Sequence, residues 1–331
     1  MAVAPEAAPI AAAAGPHVPE LLDRIEARLG EIAASYPEPL SGWASGTIAA
    51  GGKRLRPLLV LVAAGPPAGW TAGADAALVR AGVAVELVHS ATLVHDDVLD
   101  AAPMRRGEPT VWSSAGRRAA IATGDALFAD AFRELVRNAD VAQVQALSRA
   151  GSALAEGELL QRADAWDTGV AVERYLHRCE LKTARLFEAA CALGVHAGTG
   201  DAALAGELVR FGRRVGLAFQ LLDDVLDVSG PVERTGKHRG TDLLDGTVTL
   251  PFLLARERDP AIAAIDLRAV TTPAHAEALC DAIAACGALD DARAHALGLV
   301  TSAKGELPAG LAEPQRAALD LVADGVVARY A

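Results

Sequence analysis

Cysteine is scarce in this chain. Among its 331 residues there are four, Cys179, Cys191, Cys280 and Cys286, and no two of them form a CxxC pair. That excludes a zinc-ribbon spacing and a disulfide-stapled scaffold, and it suits a reducing cytoplasm. Aromatic residues make up only 4%, none interleaved with a basic stripe, and the net charge is −11. Nucleic acid is thereby excluded as a partner. No uncharged run reaches the roughly 18 residues that a membrane-spanning helix needs. The nearest, "LLVLVAAGPPAGW" from Leu58, is ended by Gly65-Pro66-Pro67. The chain is not expected to span a bilayer, which leaves room for transient contact with a membrane surface. The apolar opening lacks a basic first segment and is interrupted by Pro5, Glu6 and Pro9. Residues 1–16 therefore read as a disordered tail rather than a signal peptide.

What the chain has in abundance is alanine and leucine. Hydrophobic residues make up 52%, enough for a substantial core, and two-residue alternation is absent. Charges recur at three- and four-residue intervals, which predicts helices throughout. They are expected over roughly 19–35, 56–64, 73–101, 116–138, 140–164, 171–196, 201–229, 247–257, 274–286, 288–304 and 312–329. Breaks fall at "YPEPLSGW", "AGPPAGW", "APMRRGEPT", "HAGTGD" and "SGPVERTGKHRGTDLLDG", which are Pro/Gly-rich turns rather than linkers. No composition shift marks a boundary, so the expectation is one all-α domain over 17–331, a helical bundle. Helices 73–101 and 201–229 are almost wholly apolar before their acidic ends and should be central.

Those ends carry the same five letters, DDVLD, at Asp96–Asp100 and at Asp223–Asp227. Helical residues advance by about 100°, so positions i, i+1 and i+4 crowd toward one edge. Asp96, Asp97 and Asp100 form one such set, and Asp223, Asp224 and Asp227 the other. Three neighbouring carboxylates repel one another unless a cation joins them, and Asp near a helix C-terminus opposes the macrodipole. A solvated surface face is the bland alternative; two apolar helices ending in the same conflict weigh against it. Carboxylates without paired Cys or His point to a hard ion. Mg²⁺ fits, since it completes its shell with water and substrate phosphate.

Basic motifs accompany the clusters. "GGKRLRP" places Lys53, Arg54 and Arg56 at the start of a helix, where cations are unfavourable unless an anion joins them. "MRRG" supplies Arg105 and Arg106, "ELKTA" supplies Lys182 and Thr183, and "RTGKHRGTD" supplies Lys237. His89 stands seven residues before Asp96, near the same angular position, with Glu86 one turn further back. It is read as part of the site, and His95 as structural.

Together these motifs resemble the trans-isoprenyl diphosphate synthases, the polyprenyl synthetase family. The likeness runs from Gly51 to Pro251 through "GGKRLRP", "ELVHSATLVHDDVLDAAPMRRG", "GDALF", "ELKTA", "GLAFQLLDDVLD" and "GK…GTDLLDGTVTLP". The resemblance implies an all-α bundle around a deep cavity, commonly a homodimer. It implies that the six aspartates hold three Mg²⁺ on an allylic diphosphate. Arg105, Lys182 and Lys237 would grip that diphosphate, with Thr183 and Gln220 near the reacting carbons. Lys53, Arg56, His89 and Arg106 would bind isopentenyl diphosphate. Product length would be set beside the first cluster, where Ala91 and Thr92 are small enough to imply twenty carbons or more. Phe128 and Phe132, on one face of the helix after "GDALF", are the next expected floor. One departure stands out: Thr247 replaces a lysine common in the family's "DGTVTLP" stretch, for which Arg239 is a candidate substitute.

Three rivals remain in view. A di-iron bundle needs Glu-x-x-His twice, and Glu86–His89 is its one copy. A class I terpene cyclase also ionises prenyl diphosphates with Mg²⁺, but needs no second diphosphate site such as Lys53, Arg56, His89 and Arg106 imply. A non-catalytic subunit of a heteromeric synthase could lose acidic residues, whereas here all six remain.

Overall fold

A computed structural model of the chain describes residues 8–50, 52–230 and 239–328. It contains helices α1 (Ala8–Ala14), α2 (His17–Ala34), α3 (Leu40–Ala49), α4 (Leu55–Ala63), α5 (Ala74–Leu99), α6 (Val111–Ala115), α7 (Arg117–Leu135), α8 (Val141–Ala163) and α9 (Val172–Cys179). After a π-helical turn at Glu180–Ala184 come α10 (Arg185–Gly198), α11 (Ala202–Ser229), α12 (Thr241–Leu244), α13 (Leu250–Arg258), α14 (Pro260–Ala263), α15 (Pro273–Ala285), α16 (Ala288–Gly305) and α17 (Glu313–Ala328). Among the described residues the only strands are β1 (Met104–Arg105) and β2 (Glu108–Pro109), an antiparallel pair. The fold is all-α, as composition and periodicity predict.

The chain forms two compact units. The first comprises residues up to Gly151, Leu186–Gly212 and Glu306–Val322; the second comprises Ser152–Arg185, Arg213–Gly305 and the chain from Ala323.

In the first unit α5 is the central helix. Leu78, Val83, Val85, Leu87, Val88, Ala91 and Val94 are buried on it with no opposing polar stripe, the pattern of a helix enclosed on most sides. It is also the one described helix long and apolar enough to cross a membrane, and 67% of its apolar window is buried inside the protein. Helix α7 packs along it at Gly124, where an added Cβ would stand 2.3 Å from His95 Nε2. The glycine of "GDALF" is thus a crossing point, and His95 is a packing residue. The α17 side chain Gln315 donates from Nε2 to the Ala63 carbonyl at 2.8 Å, tying the last helix to the end of α4.

Two stretches of this unit differ from expectation. Residues 8–14, inside the stretch expected to be a tail, form α1, because Ile10, Ala11 and Ala14 find buried positions; residues 1–7 lie outside the described set. Helix α3 occupies "LSGWASGTIA", where glycine, serine and threonine give poor propensity but Ala44 and Ile48 are buried.

The second unit is centred on buried Tyr175, Phe252 and Val248. Arg178, 2% exposed, donates to the Val248 carbonyl at 2.6 Å and to Asp164 at 3.4 Å. The Trp166 amide donates to the Gly246 carbonyl at 2.8 Å, and its indole covers Gly246. A Cβ on Gly246, whose φ is +72°, would lie 2.2 Å from that ring. These contacts hold the loop that carries Thr247.

Candidate active site

The first acidic cluster closes α5. Asp100 caps the helix, its amide bonded to the Asp96 carbonyl at 2.8 Å. The three carboxylates do not share one environment: Asp96 is partly exposed, Asp100 is exposed and Asp97 is buried. Asp97 accepts a 2.7 Å hydrogen bond from Arg105 Nε. Arg105 lies on β1, and the turn to β2 is made by Arg106 and Gly107, both with positive φ (53° and 83°). Two positive values in a row make the tight hairpin turn whose twist suits paired strands. "MRRG" is therefore a hairpin signal as well as a charge signal. The turn sends the Arg106 guanidinium to the Ala50 carbonyl, at 2.7 Å, and over Gly52.

The "GGKRLRP" residues bracket the start of α4. Arg54 is its N-cap, in the left-handed region at φ 50°. Its Nη1 donates to Glu86 Oε1 at 2.7 Å and its Nη2 to the Ile48 carbonyl at 2.8 Å and Glu26 Oε2 at 3.2 Å, while its Nε bonds Glu26 Oε1. Two residues on, the Arg56 guanidinium stacks 4.9 Å from the Phe187 ring centre. His89 lies one turn beyond Glu86 on α5. Burial first, then the charges of Arg56, Arg106, Arg105 and Arg54, push its imidazole well below the ordinary histidine range. It sits in a cationic neighbourhood, which is a setting for an anionic ligand.

The second cluster closes α11 and repeats the pattern of the first. Asp223 is exposed, Asp227 partly exposed and Asp224 buried. Both oxygens of Asp224 are engaged: the Tyr175 hydroxyl donates to Oδ2 at 2.5 Å and Gln220 Nε2 donates to Oδ1 at 2.8 Å. The Thr183 hydroxyl donates to Gln220 Oε1 at 2.6 Å, so the two residues expected near the reacting carbons are joined to each other and to the cluster. Lys182 Nζ lies 2.5 Å from Glu158 Oε2. The turn bearing Lys182 and Thr183 is the π-helical one, a wide turn that interrupts the continuous helix expected over 171–196 and that recurs at functional sites. The α12 amide of Asp242 donates to Asp227 Oδ2 at 3.3 Å.

Of the remaining expected residues, Lys237 lies outside the described residues. Arg239 donates to the Val228 carbonyl at 2.8 Å and to Asp281 at 2.9 Å. Phe128 and Phe132 share a face of α7, with ring centres 5.5 Å apart. Ala91 is completely enclosed, while Thr92 is partly exposed. All four cysteines are free thiols. Among the described residues, no three His, Cys, Asp or Glu side chains already converge as a metal cage. Within each cluster the accessible carboxylates, Asp96 and Asp100 in the first and Asp223 and Asp227 in the second, are nonetheless hard oxygen donors of the kind that suits an ion taking water and phosphate as its other ligands.

A family model described as Polyprenyl synthetase matches residues 37–285. The chain belongs to the polyprenyl synthetase family. Its relatives include heptaprenyl diphosphate synthase component 2 of Geobacillus stearothermophilus, 38% identical over 74% of this chain and 75% of that one. Geranylgeranyl diphosphate synthase of Methanosarcina mazei is 33% identical over 93% of this chain and 98% of the relative. A polyprenyl synthase of Caulobacter crescentus, solved with calcium and isoprenyl diphosphate, superposes with a TM-score of 0.84. It is 36% identical, with 94% of each chain covered. Membership of the polyprenyl synthetase family makes this protein a prenyltransferase of the trans-isoprenyl diphosphate synthase type. Tyr175 carries no mark in the sequence, since its partner Asp224 lies 49 residues away. Arg54 is marked as part of "GGKRLRP", but its partners Glu26 and Glu86, 28 and 32 residues away, are not.

Proposed function

We propose that this polyprenyl synthetase condenses isopentenyl diphosphate with an allylic diphosphate, head to tail and in trans, in a Mg²⁺-dependent reaction. The product would have twenty carbons or more, and residues 17–331 would act as one catalytic domain. The observation that carries this reading is the repeated design of the acidic clusters, each with two accessible carboxylates beside one that is buried and hydrogen-bonded, in a chain that also holds the cationic group around His89.

Asp96, Asp100, Asp223 and Asp227 would hold the Mg²⁺ ions, three of them by family likeness, with Asp97 and Asp224 bracing each set. Bound there, Mg²⁺ supplies charge neutralisation for a departing diphosphate. Arg105, Lys182 and Lys237 bind the same group, and preorganised cations of this kind favour the charge that develops on ionisation. Lys53, Arg56, His89 and Arg106 orient isopentenyl diphosphate through its own diphosphate. The Thr183–Gln220 pair, rigid through its hydrogen bonds, presents fixed dipoles to the reacting carbons. The final proton passes to the released diphosphate, and the enclosed apolar helices exclude the water that would quench the allylic cation. The enzyme would work in the cytoplasm as a homodimer.

A second reading has one specific support. The Geobacillus relative is named as a component, so this chain could act with a second polypeptide. Incubating the purified chain alone with isopentenyl diphosphate and an allylic primer separates the readings. Chain extension supports the first, a cyclic hydrocarbon indicates a cyclase, and turnover only on adding a partner polypeptide indicates a heteromer.

A further inference from the structure

Arg54 sits between Lys53 and Arg56, yet its own charge is spent inside the protein. Its side chain is 11% exposed, and those of its carboxylate partners Glu26 and Glu86 are 22% and 3% exposed. Nε and Nη2 take Glu26 of α2, Nη1 takes Glu86 of α5, and Nη2 also takes the Ile48 carbonyl at the end of α3. Four of the five donors of a guanidinium are therefore committed to three separate helices. Arg54 is itself the N-cap of a fourth, α4, in the left-handed conformation that bulky side chains adopt only when held there.

We infer that Glu26–Arg54–Glu86 is a positioning brace for the isopentenyl diphosphate subsite. The inference rests on the functional reading above and deepens it. The brace joins the two places from which that subsite is built. At one end it holds the turn that carries Lys53 and Arg56; at the other it binds Glu86, one helical turn before His89. The same turn receives Arg106, which bonds the Ala50 carbonyl. A planar fork can satisfy two carboxylates and a carbonyl in one geometry; a lysine, with a single charged point, cannot. Among the described residues, the hydrogen bonds of Glu26 run to Arg54, so it acts on the subsite through that side chain. Its effect on substrate affinity is therefore the signature of a brace.

The test is calorimetric titration of isopentenyl diphosphate into the full-length wild type and into Arg54→Lys, Glu26→Gln and the double variant, paired with steady-state kinetics on both substrates. The expected result is a Kd for isopentenyl diphosphate raised on the order of tenfold in Arg54→Lys, equivalent to about 1.4 kcal/mol. Glu26→Gln should shift it in the same direction, and the double variant should match Arg54→Lys alone, as coupled residues do. The KM for isopentenyl diphosphate should rise more than that for the allylic primer. Additive effects, equal changes in both KM values, or a lowered melting temperature with unchanged Kd would each overturn the brace. Wild-type protein that does not bind isopentenyl diphosphate would overturn the functional reading and the brace with it, whereas tight binding in both wild type and variants would overturn the brace alone. Glu26→Gln keeps side-chain volume, so it decides the matter if Arg54→Lys does not fold.

Discussion

Tyr175 and Asp224 are joined by a 2.5 Å hydrogen bond, the phenol donating to Oδ2 of a carboxylate that is 4% exposed. Burial first, then the charge of Asp242, pushes the Asp224 carboxyl up to about 7, against the bonds from Tyr175 and Gln220 that favour its ionised form. An unfolded aspartate loses its proton near pH ~4. Between that pH and about 7, the folded state keeps a proton that the unfolded state has released. The associated stability is complete below pH ~4 and is lost as pH rises toward 7. With chelator present, the melting temperature of wild type should fall more steeply between about pH 5 and 7 than that of Asp224→Asn. Parallel pH profiles would contradict the assignment.

The unequal environments within each cluster predict unequal consequences of mutation. Asp96→Ala and Asp223→Ala remove accessible carboxylates, so turnover should drop by something on the order of 10³-fold while the melting temperature holds. Asp97→Ala instead removes a buried acceptor of Arg105, and should cost about 1–3 kcal/mol of stability. Denaturant melts and turnover assays on the three variants distinguish these patterns. Chelator should abolish activity and added Mg²⁺ restore it.

The two diphosphates should separate by residue. His89→Ala or Arg56→Ala should raise the KM for isopentenyl diphosphate by the equivalent of roughly 1.5–3 kcal/mol, the scale of a charged hydrogen bond. Lys182→Ala should act mainly on the allylic substrate. Equal effects on both substrates in all three variants would show that the division is wrong.

Product length gives a fourth test. On the proposed function, Thr92, one turn before Asp96 and partly exposed, would be the wall residue that a ring can extend from, whereas Ala91 is enclosed. Thr92→Phe should shorten the product. Ala91→Phe should instead cost stability, about 1–3 kcal/mol for overpacking. Chromatography of dephosphorylated products decides the first, and a wild type that stops at fifteen carbons would remove its premise.

Much of this was legible beforehand. The long helices α5, α8 and α11 lie within about two residues of the expected bounds, because their apolar periodicity is sustained and their breaks are Pro/Gly-rich. Both acidic clusters were legible as local conflicts. Their internal geometry was not: a helical wheel puts Asp96, Asp97 and Asp100 near one edge, but the wheel does not say which flank is covered. Arg105 from the hairpin and Tyr175 from α9 draw the middle carboxylates inward. Helix α3 escaped notice because its stability is tertiary, carried by Ala44 and Ile48 rather than by propensity. The wide turn at Glu180–Ala184 escaped because an extra residue in a helical turn leaves no mark in composition.

That turn rests against a position with no functional group at all. A Cβ on Gly157 would stand 2.5 Å from the Lys182 amide nitrogen and 2.9 Å from its Cα, so α8 and the turn touch backbone to backbone. The location of the ammonium is thus governed by the thinness of a neighbour. Replacing Lys182 alters chemistry and leaves the scaffold whole; adding one methyl group at 157 does the reverse, displacing the lysine with its charge intact. Directed evolution of this enzyme toward new substrates would find Gly157 closed to change, and would have to vary the residues around it.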